Sequence, residues 1–352
     1  MNTYFPEAVD LLKKLIALPS VSREENGTAD VIEQYLISKG LTPNRKGNNI
    51  WVESKISDAL PTLLLNSHHD TVKPSSSWTL DPFTPVEKDG KLFGLGSNDA
   101  GGPLVSLMQV FLHFKDIKNR KFNLIYAATA EEEISGKGGV ESIKPELGKI
   151  DLAIVGEPTQ MQMAVAEKGL MVLDGKSIGK VGHSARNEGI NAIYLAMRDI
   201  EWFRTFKFPN ESELLGPVKM TVTQINAGYQ HNMIPDLCSF VVDVRTNEHY
   251  TNEQAYEIIR SHMQNSEVVP RSTRLNSSRI PLDHPLVKRG IEMGLLYYGS
   301  PTTSDQAIIR STSMKIGPGD SARSHTADEF IYLEEIEKGI EVYIRLLEGL
   351  EF

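Results

Sequence analysis

Short, continuously apolar segments alternate with longer amphipathic segments through the first half of this 352-residue chain. The short segments have the length and aliphatic composition of buried strands, and they lie at residues 62–67, 122–128 and 151–155. The longer segments carry apolar residues at helical spacing, and they lie at residues 7–17, 28–39 and 104–114. Strands separated by helices form a mostly parallel sheet that is covered on both faces. The sequence therefore predicts a mixed α/β fold with a mostly parallel sheet flanked by helices.

The order of the elements changes near residue 165. From there the pattern predicts one sheet with two helices, in the order strand 170–179, helix 190–206, strand 219–225, strand 239–245, helix 253–262 and strand 272–276. The chain then returns to helices, at residues 285–297 and 333–347. An inserted domain that interrupts a larger one explains this order. We therefore predict a first domain made of residues 1–164 and 278–352, and an inserted α+β domain at residues 165–277.

The composition excludes several classes of protein. The chain has 37 Lys and Arg against 46 Asp and Glu, a formal charge of −9, so we expect neither a nucleic acid nor a membrane as its partner. A single cysteine, Cys238, excludes a disulfide framework. The first residues lack the uninterrupted apolar region of a signal peptide, and no stretch approaches the roughly 18 apolar residues of a membrane span. We therefore expect a cytoplasmic globular protein.

One glycine-rich segment resembles a nucleotide-binding loop only superficially. Gly94, Gly96, Gly101 and Gly102 do not have the G-x-G-x-x-G spacing, and no predicted strand runs directly into them. A nucleotide-dependent oxidoreductase is therefore a distant alternative.

Five groups of histidines and carboxylates follow the predicted strands or precede the predicted helices. They contain, in chain order, His68 with Asp70, Asp99, the acidic run at residues 131–133, Glu157, and His325 with Asp328 and Glu329. Each group has an ordinary structural alternative. Asp99 is also a candidate helix N-cap, the acidic run a candidate exposed turn, and Asp328 with Glu329 a candidate helix N-terminus.

The groups become more informative when they are considered together. Four of them follow strands whose carboxyl ends meet at one edge of a parallel sheet. They offer two histidines and at least four carboxylates, and the groups themselves contain no Lys or Arg to balance that charge. Such an excess indicates divalent cations, and mixed nitrogen and oxygen ligands suit Zn²⁺, with Mn²⁺ or Co²⁺ as alternatives.

These residues also resemble the motifs of a known family, the dizinc deacylases and peptidases typified by acetylornithine deacetylase and succinyl-diaminopimelate desuccinylase. The matching motifs are Leu65-Asn66-Ser67-His68-His69-Asp70-Thr71-Val72, Gly94-Leu95-Gly96-Ser97-Asn98-Asp99, Glu132-Glu133, Gly156-Glu157-Pro158-Thr159 and His325. The chain departs from the usual pattern at Ser67, Leu95, Ala100-Gly101 and Glu131. None of these departures falls on a proposed ligand, so they affect the assignment of the subgroup within the family and of the substrate rather than that of the chemistry.

The resemblance implies a role for each residue of the metal centre. Asp99 would bridge two zinc ions, with His68 and Glu157 as further ligands of one ion and Glu133 and His325 as further ligands of the other. Glu132 would be the general base, and Asp70 would orient His68. The family geometry also implies a cis peptide bond between Asp99 and Ala100.

The resemblance further implies that the inserted domain is a lid through which two chains form a homodimer. His183 would reach the partner's active site and stabilise the oxyanion, although a histidine on the protein surface is the alternative. Asn232 and Arg245 would bind the substrate carboxylate, although an ion pair between Arg245 and Asp243 is equally consistent with the sequence. His231, beside Asn232, is a further candidate for substrate contact.

The preferred function is hydrolysis of a small N-acyl amino acid, with N-acetylornithine in arginine biosynthesis as the leading substrate. N-succinylornithine, N-acetylcitrulline, N-acetyllysine and succinyl-diaminopimelate are alternatives within the same chemistry, and a metallo-dipeptidase is another. A non-catalytic metal- or peptide-binding protein on the same scaffold is the alternative from a different class. The presence of Glu132 argues against it, because a protein that only binds needs no base.

Overall fold

The computed structural model describes residues 4–352. Residues 1–3, on which part of the prediction for the N-terminal segment depends, lie outside the described residues. None of the helices within residues 4–352 combines the length and the apolar character needed to cross a membrane.

The described chain contains nine α-helices, three short helical turns of other types and eighteen strands. The helices are α1 (Tyr4–Ile16), α2 (Asn26–Ser38), α3 (Gly102–Phe114), α4 (Val140–Leu147), α5 (Ala192–Thr205), α6 (Asn252–His262), α7 (Pro285–Glu292), α8 (Gln306–Ile309) and α9 (Leu333–Leu347). The strands of the first half are β1 (Asn44–Lys46), β2 (Asn49–Ser54), β3 (Thr62–His68), β4 (Val86–Lys88), β5 (Lys91–Phe93), β6 (Asn123–Thr129), β7 (Leu152–Val155), β8 (Met163–Glu167) and β9 (Met171–Ile178). Those of the second half are β10 (Gly182–His183), β11 (Lys219–Ala227), β12 (Met233–Ile234), β13 (Leu237–Arg245), β14 (Glu267–Pro270), β15 (Ser278–Arg279), β16 (Tyr297–Ser300), β17 (Ser313–Lys315) and β18 (Phe330–Tyr332).

The chain divides into two compact units. The first contains the chain up to Val165 with Arg279–Tyr298 and Ser304–Phe352, and the second contains Ala166–Ser278 and Gly299–Thr303. The insertion predicted at residues 165–277 differs from the long segment of the second unit by one residue at each end. The sequence assigns Gly299–Thr303 to the first domain, whereas the structure assigns this segment to the second unit. The reason is a set of hydrogen bonds to Lys168, whose N–H donates to the Ser300 carbonyl and whose carbonyl accepts from Thr303 Oγ1.

The first unit is built on a mostly parallel sheet, as predicted. From β1 to β8 the strand order is β1-β2-β6-β3-β7-β17-β8. Strand β3 pairs in parallel with β6 and β7, and β7 pairs in parallel with β17, whereas β2 and β8 are antiparallel to their neighbours β6 and β17. Because β3, β6 and β7 run in the same direction, the loops that follow them emerge at one edge of the sheet.

Helix α3 has buried residues on all its faces. It packs against β3 and β6 on one side and against α1 and α9 on the other. A helix enclosed in this way has no polar face, which explains the nearly continuous apolar sequence of residues 104–114. The turn that precedes α3 is thereby held against the carboxyl edge of the sheet.

The second unit contains an antiparallel sheet in the order β11-β13-β9-β14. Buried and more exposed residues alternate along β9, which is typical of a sheet that is covered on one face. Helix α5 packs on β9, β11 and β13, and α6 packs on β14. Side-chain caps begin both helices. Asn191 accepts a hydrogen bond from the Ile193 N–H at α5, and Thr251 and Gln254 form a capping box at α6.

Two predicted elements are wrong in extent or position. The strand predicted at residues 272–276 is irregular, and the strand β14 that pairs with β9 lies earlier, at Glu267–Pro270. The helix predicted at residues 285–297 ends at Glu292, because Gly294 adopts a left-handed backbone with φ of 85° and the chain then enters β16.

Candidate active site

Six side chains predicted to form the metal centre and its base come together at the carboxyl edge of the sheet in the first unit. They are His68, Asp99, Glu132, Glu133, Glu157 and His325. Ligand atoms of His68, Asp99 and Glu133 lie within 4.8 Å of one another, as do those of His68, Glu132 and Glu157. Proximity alone therefore does not separate a ligand from a base among the three glutamates.

Asp99 lies between the two histidines. Its Oδ1 is 3.4 Å from His68 Nε2, and its Oδ2 is 3.6 Å from His325 Nε2. Each histidine also faces a second carboxylate, Glu157 Oε1 at 3.9 Å from His68 Nε2 and Glu133 Oε2 at 2.9 Å from His325 Nε2. Glu132 Oε2 lies at the same 3.9 Å from His68 Nε2, so Asp99 is shared by two histidines, of which His68 faces two glutamates and His325 faces one.

The turn that carries Asp99 has an unusual backbone. Gly96 has φ of 75°, and the peptide bond between Asp99 and Ala100 is cis, as the family resemblance implies. Asp99 is not a helix N-cap, because α3 begins at Gly102 and its N-cap position is Gly101, with no side-chain hydrogen bond to the first turn. The alternative interpretation of Asp99 is therefore wrong.

Glu329 fixes this turn through the backbone. Its buried Oε1 accepts hydrogen bonds from the N–H groups of Asn98, at 2.8 Å, and Asp99, at 3.0 Å. The neighbouring Asp328 accepts from the N–H groups of Thr79 and Leu80. Neither acid lies at the N-terminus of a helix, since α9 begins only at Leu333, and this alternative is also wrong.

Asp70 makes more contacts than the sequence predicts. Its Oδ1 lies 3.4 Å from His68 Nδ1, which agrees with an orienting role, although the nearer partner of Nδ1 is the Asp70 carbonyl oxygen at 3.0 Å. The carboxylate also accepts hydrogen bonds from the N–H groups of Glu132, at 3.0 Å, and Glu133, at 3.2 Å. Ser22 Oγ donates a further bond at 2.7 Å. One carboxylate therefore holds both the first histidine and the acidic turn.

His69 points away from the cluster, as expected for alternate residues of a strand. Its Nδ1 lies 2.8 Å from Thr28 Oγ1, and its Nε2 lies 2.8 Å from the carbonyl oxygen of Asn48. Both ring nitrogens are thus used in structural contacts.

The cluster concentrates negative charge in a buried place. Burial first, and then the surrounding carboxylates, raise the pKa of Glu132 well above its ordinary value, and the same causes raise the pKa of Glu157 to about 8. Burial and the charge of Asp99 also raise the pKa of Glu133, although the hydrogen bond from His325 opposes them. For Asp99 burial acts in the same direction, but the hydrogen bond and charge of His68 outweigh it and lower the pKa.

The histidines show the complementary effect. The hydrogen bond to Glu133 is the main cause that raises the pKa of His325 to about 9. Burial disfavours the charged form of His68, but the nearby acids outweigh it and raise the pKa. The raised pKa values of the carboxyls and of the histidines both show that the cluster favours added positive charge, which protons or metal ions can supply. The donor set, two imidazole nitrogens and shared carboxylate oxygens, fits two divalent cations.

The other predicted residues belong to the second unit. His183 is exposed in β10, and its Nδ1 accepts a hydrogen bond from the Ala185 N–H. The Asn232 carbonyl accepts from the Ser184 N–H, so the chain segments around His183 and Asn232 are linked. Arg245 forms a two-pronged ion pair with Asp243, at 2.8 and 3.0 Å. The ion pair considered as an alternative for Arg245 is therefore present.

Sequence reasoning missed several residues that support the cluster. Ser22 contacts Asp70, and Thr129 contacts Asp305, across 48 and 176 residues of sequence. Ser324 hydrogen-bonds to Asp99, which helps to lower the pKa of that carboxyl. No local pattern marks these polar residues, because each acts on a partner that is distant along the chain.

Comparisons with known proteins agree with this geometry. Residues 64–349 match the family model described as peptidase family M20/M25/M40. Acetylornithine deacetylase from Proteus mirabilis is 27% identical over 383 residues, with 99% of this chain and 98% of the relative covered. Succinyl-diaminopimelate desuccinylase from Nautilia profundicola is 29% identical over 267 residues, with 72% of each chain covered.

Solved structures show the same fold. A tripeptidase from Staphylococcus aureus has a TM-score of 0.78 at 19% identity, with 98% of each chain covered. A dinuclear metal-binding peptidase of the M20 family from Bacillus subtilis has a TM-score of 0.75 at 14% identity, with 99% of each chain covered. The family resemblance read from the motifs is thereby confirmed: the chain belongs to peptidase family M20/M25/M40 and is an enzyme of this family of hydrolases.

Proposed function

We propose that the chain is a dizinc hydrolase that removes the acyl group from a small N-acyl amino acid, most readily N-acetylornithine. The observation that carries this proposal is Asp99, whose two carboxylate oxygens face two different histidines, His68 and His325. Similarity to acetylornithine deacetylase over nearly the whole chain supports the choice of substrate.

In this proposal the carboxylate of Asp99 would help to hold both metal ions. His68 and Glu157 would hold one of them and Glu133 and His325 the other, as the family resemblance implies, and Glu157 lies 3.9 Å from His68 and Glu133 2.9 Å from His325. Two bound Zn²⁺ ions, for which Co²⁺ or Mn²⁺ can substitute, supply Lewis acidity that polarises an amide carbonyl and acidifies water. Asp70 keeps His68 and the acidic turn in place through its hydrogen bonds.

Glu132 is the group that moves the proton. Its carboxylate takes a proton from the attacking water as the water oxygen forms a bond to the amide carbon. When the bond between carbon and nitrogen breaks, Glu132 returns that proton to the leaving amine, so that a carboxylate and a free amino acid are released. The resemblance of the Glu132-Glu133 pair to the family motif supports this role, and the N–H of Glu132 is fixed by its hydrogen bond to Asp70.

The second unit supplies residues for substrate recognition in this proposal. Arg245 and Asn232 bind the substrate carboxylate, and Asp243 holds the planar guanidinium of Arg245 in one orientation. His183, contributed by the partner chain, stabilises the oxyanion that develops on the amide carbonyl. No shared site forms without a dimer, so this role depends on assembly.

A homodimer through the second unit, which we propose is the family's lid, is supported by exposed apolar side chains. Those on β9, β11, β13, α5 and the neighbouring loops are Ile178, Val181, Ile190, Tyr194, Met197, Ile225, Tyr229 and Leu237. Strand β11 is the edge of its sheet within the described residues, and exposed apolar side chains beside an open sheet edge are available for contact with a second chain. The single cysteine fits the reducing conditions of the cytoplasm, where we propose that the enzyme acts.

The first prediction concerns metal content. Purified protein binds close to two zinc equivalents, and removal of the metal by a chelator abolishes hydrolysis until Zn²⁺ or Co²⁺ is restored. Asp99→Asn lowers the occupancy of both sites, because this carboxylate faces both histidines, whereas Glu157→Gln and His325→Ala each affect one site. Elemental analysis and activity measure these outcomes, with Glu53→Gln, exposed on β2, as the control. Full activity with one bound ion would exclude the two-metal assignment.

The second prediction separates base from ligand. Glu132→Gln keeps both ions but lowers kcat by about 100- to 10,000-fold, because it removes only the proton carrier. Glu133→Gln loses bound metal, because Glu133 is a proposed metal ligand. Metal content and kcat are measured on the same preparations. The opposite pattern, in which Glu132→Gln loses an ion and Glu133→Gln retains both, would exchange the two roles.

The third prediction concerns the substrate. Release of free amine is measured for acetyl and succinyl derivatives of ornithine, citrulline, lysine and diaminopimelate, and for dipeptides. We expect the highest kcat/KM for N-acetylornithine. A higher kcat/KM for a succinyl derivative would identify the enzyme as a desuccinylase, and a higher kcat/KM for dipeptides would identify it as a peptidase. Metal binding without hydrolysis of any of them would favour the non-catalytic alternative.

The fourth prediction concerns the shared site. His183→Ala lowers kcat strongly but leaves the metal content unchanged, because the side chain contacts the transition state and not the ions. Mixing His183→Ala chains with Glu132→Gln chains restores part of the activity, since one site of each heterodimer keeps both groups. Lack of recovery in a verified heterodimer, or full activity of a proven monomer, would contradict the shared site.

A further inference from the structure

A buried carboxylate outside the proposed catalytic set connects the ends of two strands. Asp305 is only 3% exposed and immediately precedes α8 in the first unit. Its Oδ2 accepts a hydrogen bond from Thr129 Oγ1 at 2.8 Å. Thr129 Oγ1 in turn accepts from Asn66 Nδ2 at 2.9 Å. Asp305, Thr129 and Asn66 therefore form one buried chain of hydrogen bonds.

The members of this chain lie next to the residues of the metal centre. Thr129 is the last residue of β6 and precedes Glu132 by three positions, and Asn66 precedes His68 by two positions on β3. The strands β3 and β6 are parallel neighbours, with Asn66 opposite Ala127 and His68 opposite Thr129. A contact that holds Thr129 and Asn66 thus holds both strand ends from which the cluster projects.

The burial of Asp305 is unfavourable for folding. Burial is the main cause that raises the pKa of Asp305 to about 6, and hydrogen bonds from Thr129 and Asn66 oppose it only in part. A buried carboxylate that lowers stability is retained more readily where it serves the site. Its partners Thr129 and Asn66 both lie at the catalytic edge of the sheet.

We propose that Asp305 is a positioning residue of the metal centre, which acts by accepting the hydrogen bond of Thr129 and so aligning the ends of β3 and β6. This inference rests on the proposed two-metal function. It assigns no contact with substrate to Asp305. The role belongs to the hydrogen bond rather than to the charge.

Two pairs of substitutions test this distinction. Asp305→Asn keeps an oxygen that can accept the hydrogen bond of Thr129 Oγ1. Asp305→Ala removes the acceptor. In the same way, Thr129→Ser keeps the hydroxyl and Thr129→Val removes it. If Asp305→Ala does not fold, the Thr129 pair still gives the answer.

Metal affinity and geometry are the readouts. The dissociation constant of each ion is measured by competition with a chromophoric chelator, and the ligand geometry by the visible absorption of the Co²⁺ protein. We expect Asp305→Ala and Thr129→Val to weaken metal binding by roughly 10- to 100-fold and to change the Co²⁺ spectrum. Asp305→Asn and Thr129→Ser remain within about threefold of the wild type, and KM changes less than kcat.

Asp151 offers a matched control. Its Oδ2 accepts a hydrogen bond from the Thr62 N–H at the other end of β3, far from the catalytic edge. Asp151→Ala therefore leaves metal affinity and the Co²⁺ spectrum unchanged.

Three results would overturn the inference. Metal binding and spectra of Asp305→Ala and Thr129→Val equal to those of the wild type would show that Asp305 positions nothing. Asp305→Asn as impaired as Asp305→Ala would show that the charge matters rather than the hydrogen bond. Wild-type protein that binds no metal at this cluster would refute the proposed function as well. Measurement of the wild type alone reveals this outcome, so it is distinguished from failure of the inference about Asp305.

Discussion

Repulsion between buried carboxylates is the constraint on which the rest of the active-site region depends. Burial and mutual charge raise the pKa values of Glu132, Glu133 and Glu157, and two histidines supply only part of the compensating charge. A cluster of this kind is stable when cations bind between the carboxylates. The parallel sheet makes the arrangement possible, because its strands direct successive loops to one edge and the core behind them excludes water.

Two further carboxylates of this region, those of Asp70 and Glu329, are held in fixed positions by backbone N–H groups, whose partial positive charge offsets their negative charge. Asp70 accepts from the N–H groups of Glu132 and Glu133, and Glu329 accepts from those of Asn98 and Asp99. Each acid therefore fixes the main chain of a loop that carries proposed ligands. Such bonds define the positions of the ligand side chains before any ion binds, and this preorganisation favours tight and selective metal binding.

The sequence predicts the parts of this site that local pattern can encode. His68 and Glu157 follow apolar strands, and the family motifs bring Asp99 and His325 into the same set. Asp305 escapes prediction because its partner Thr129 is 176 residues away. The limits of the helix predicted at residues 285–297 also depend on a single left-handed glycine, Gly294, which apolar periodicity does not reveal. The parts of the fold and of the site that the sequence does not predict therefore depend on long-range polar contacts and on backbone conformation.

Chemistry and substrate choice appear in separate parts of the chain under the proposed function. The candidate ligands and base are all in the first unit, whereas Arg245, Asn232 and His183 are in the second. Relatives named as deacetylases and desuccinylases are similar to this chain in sequence, and a solved structure named as a tripeptidase shares its fold. Retention of one hydrolytic centre with changes in the second unit would produce such a range of substrates, because amide hydrolysis makes the same demand on metal and base whichever acyl group is released. The preference of this enzyme for the amino acid that carries the acyl group is then expected to follow the residues around Arg245 rather than those around Asp99.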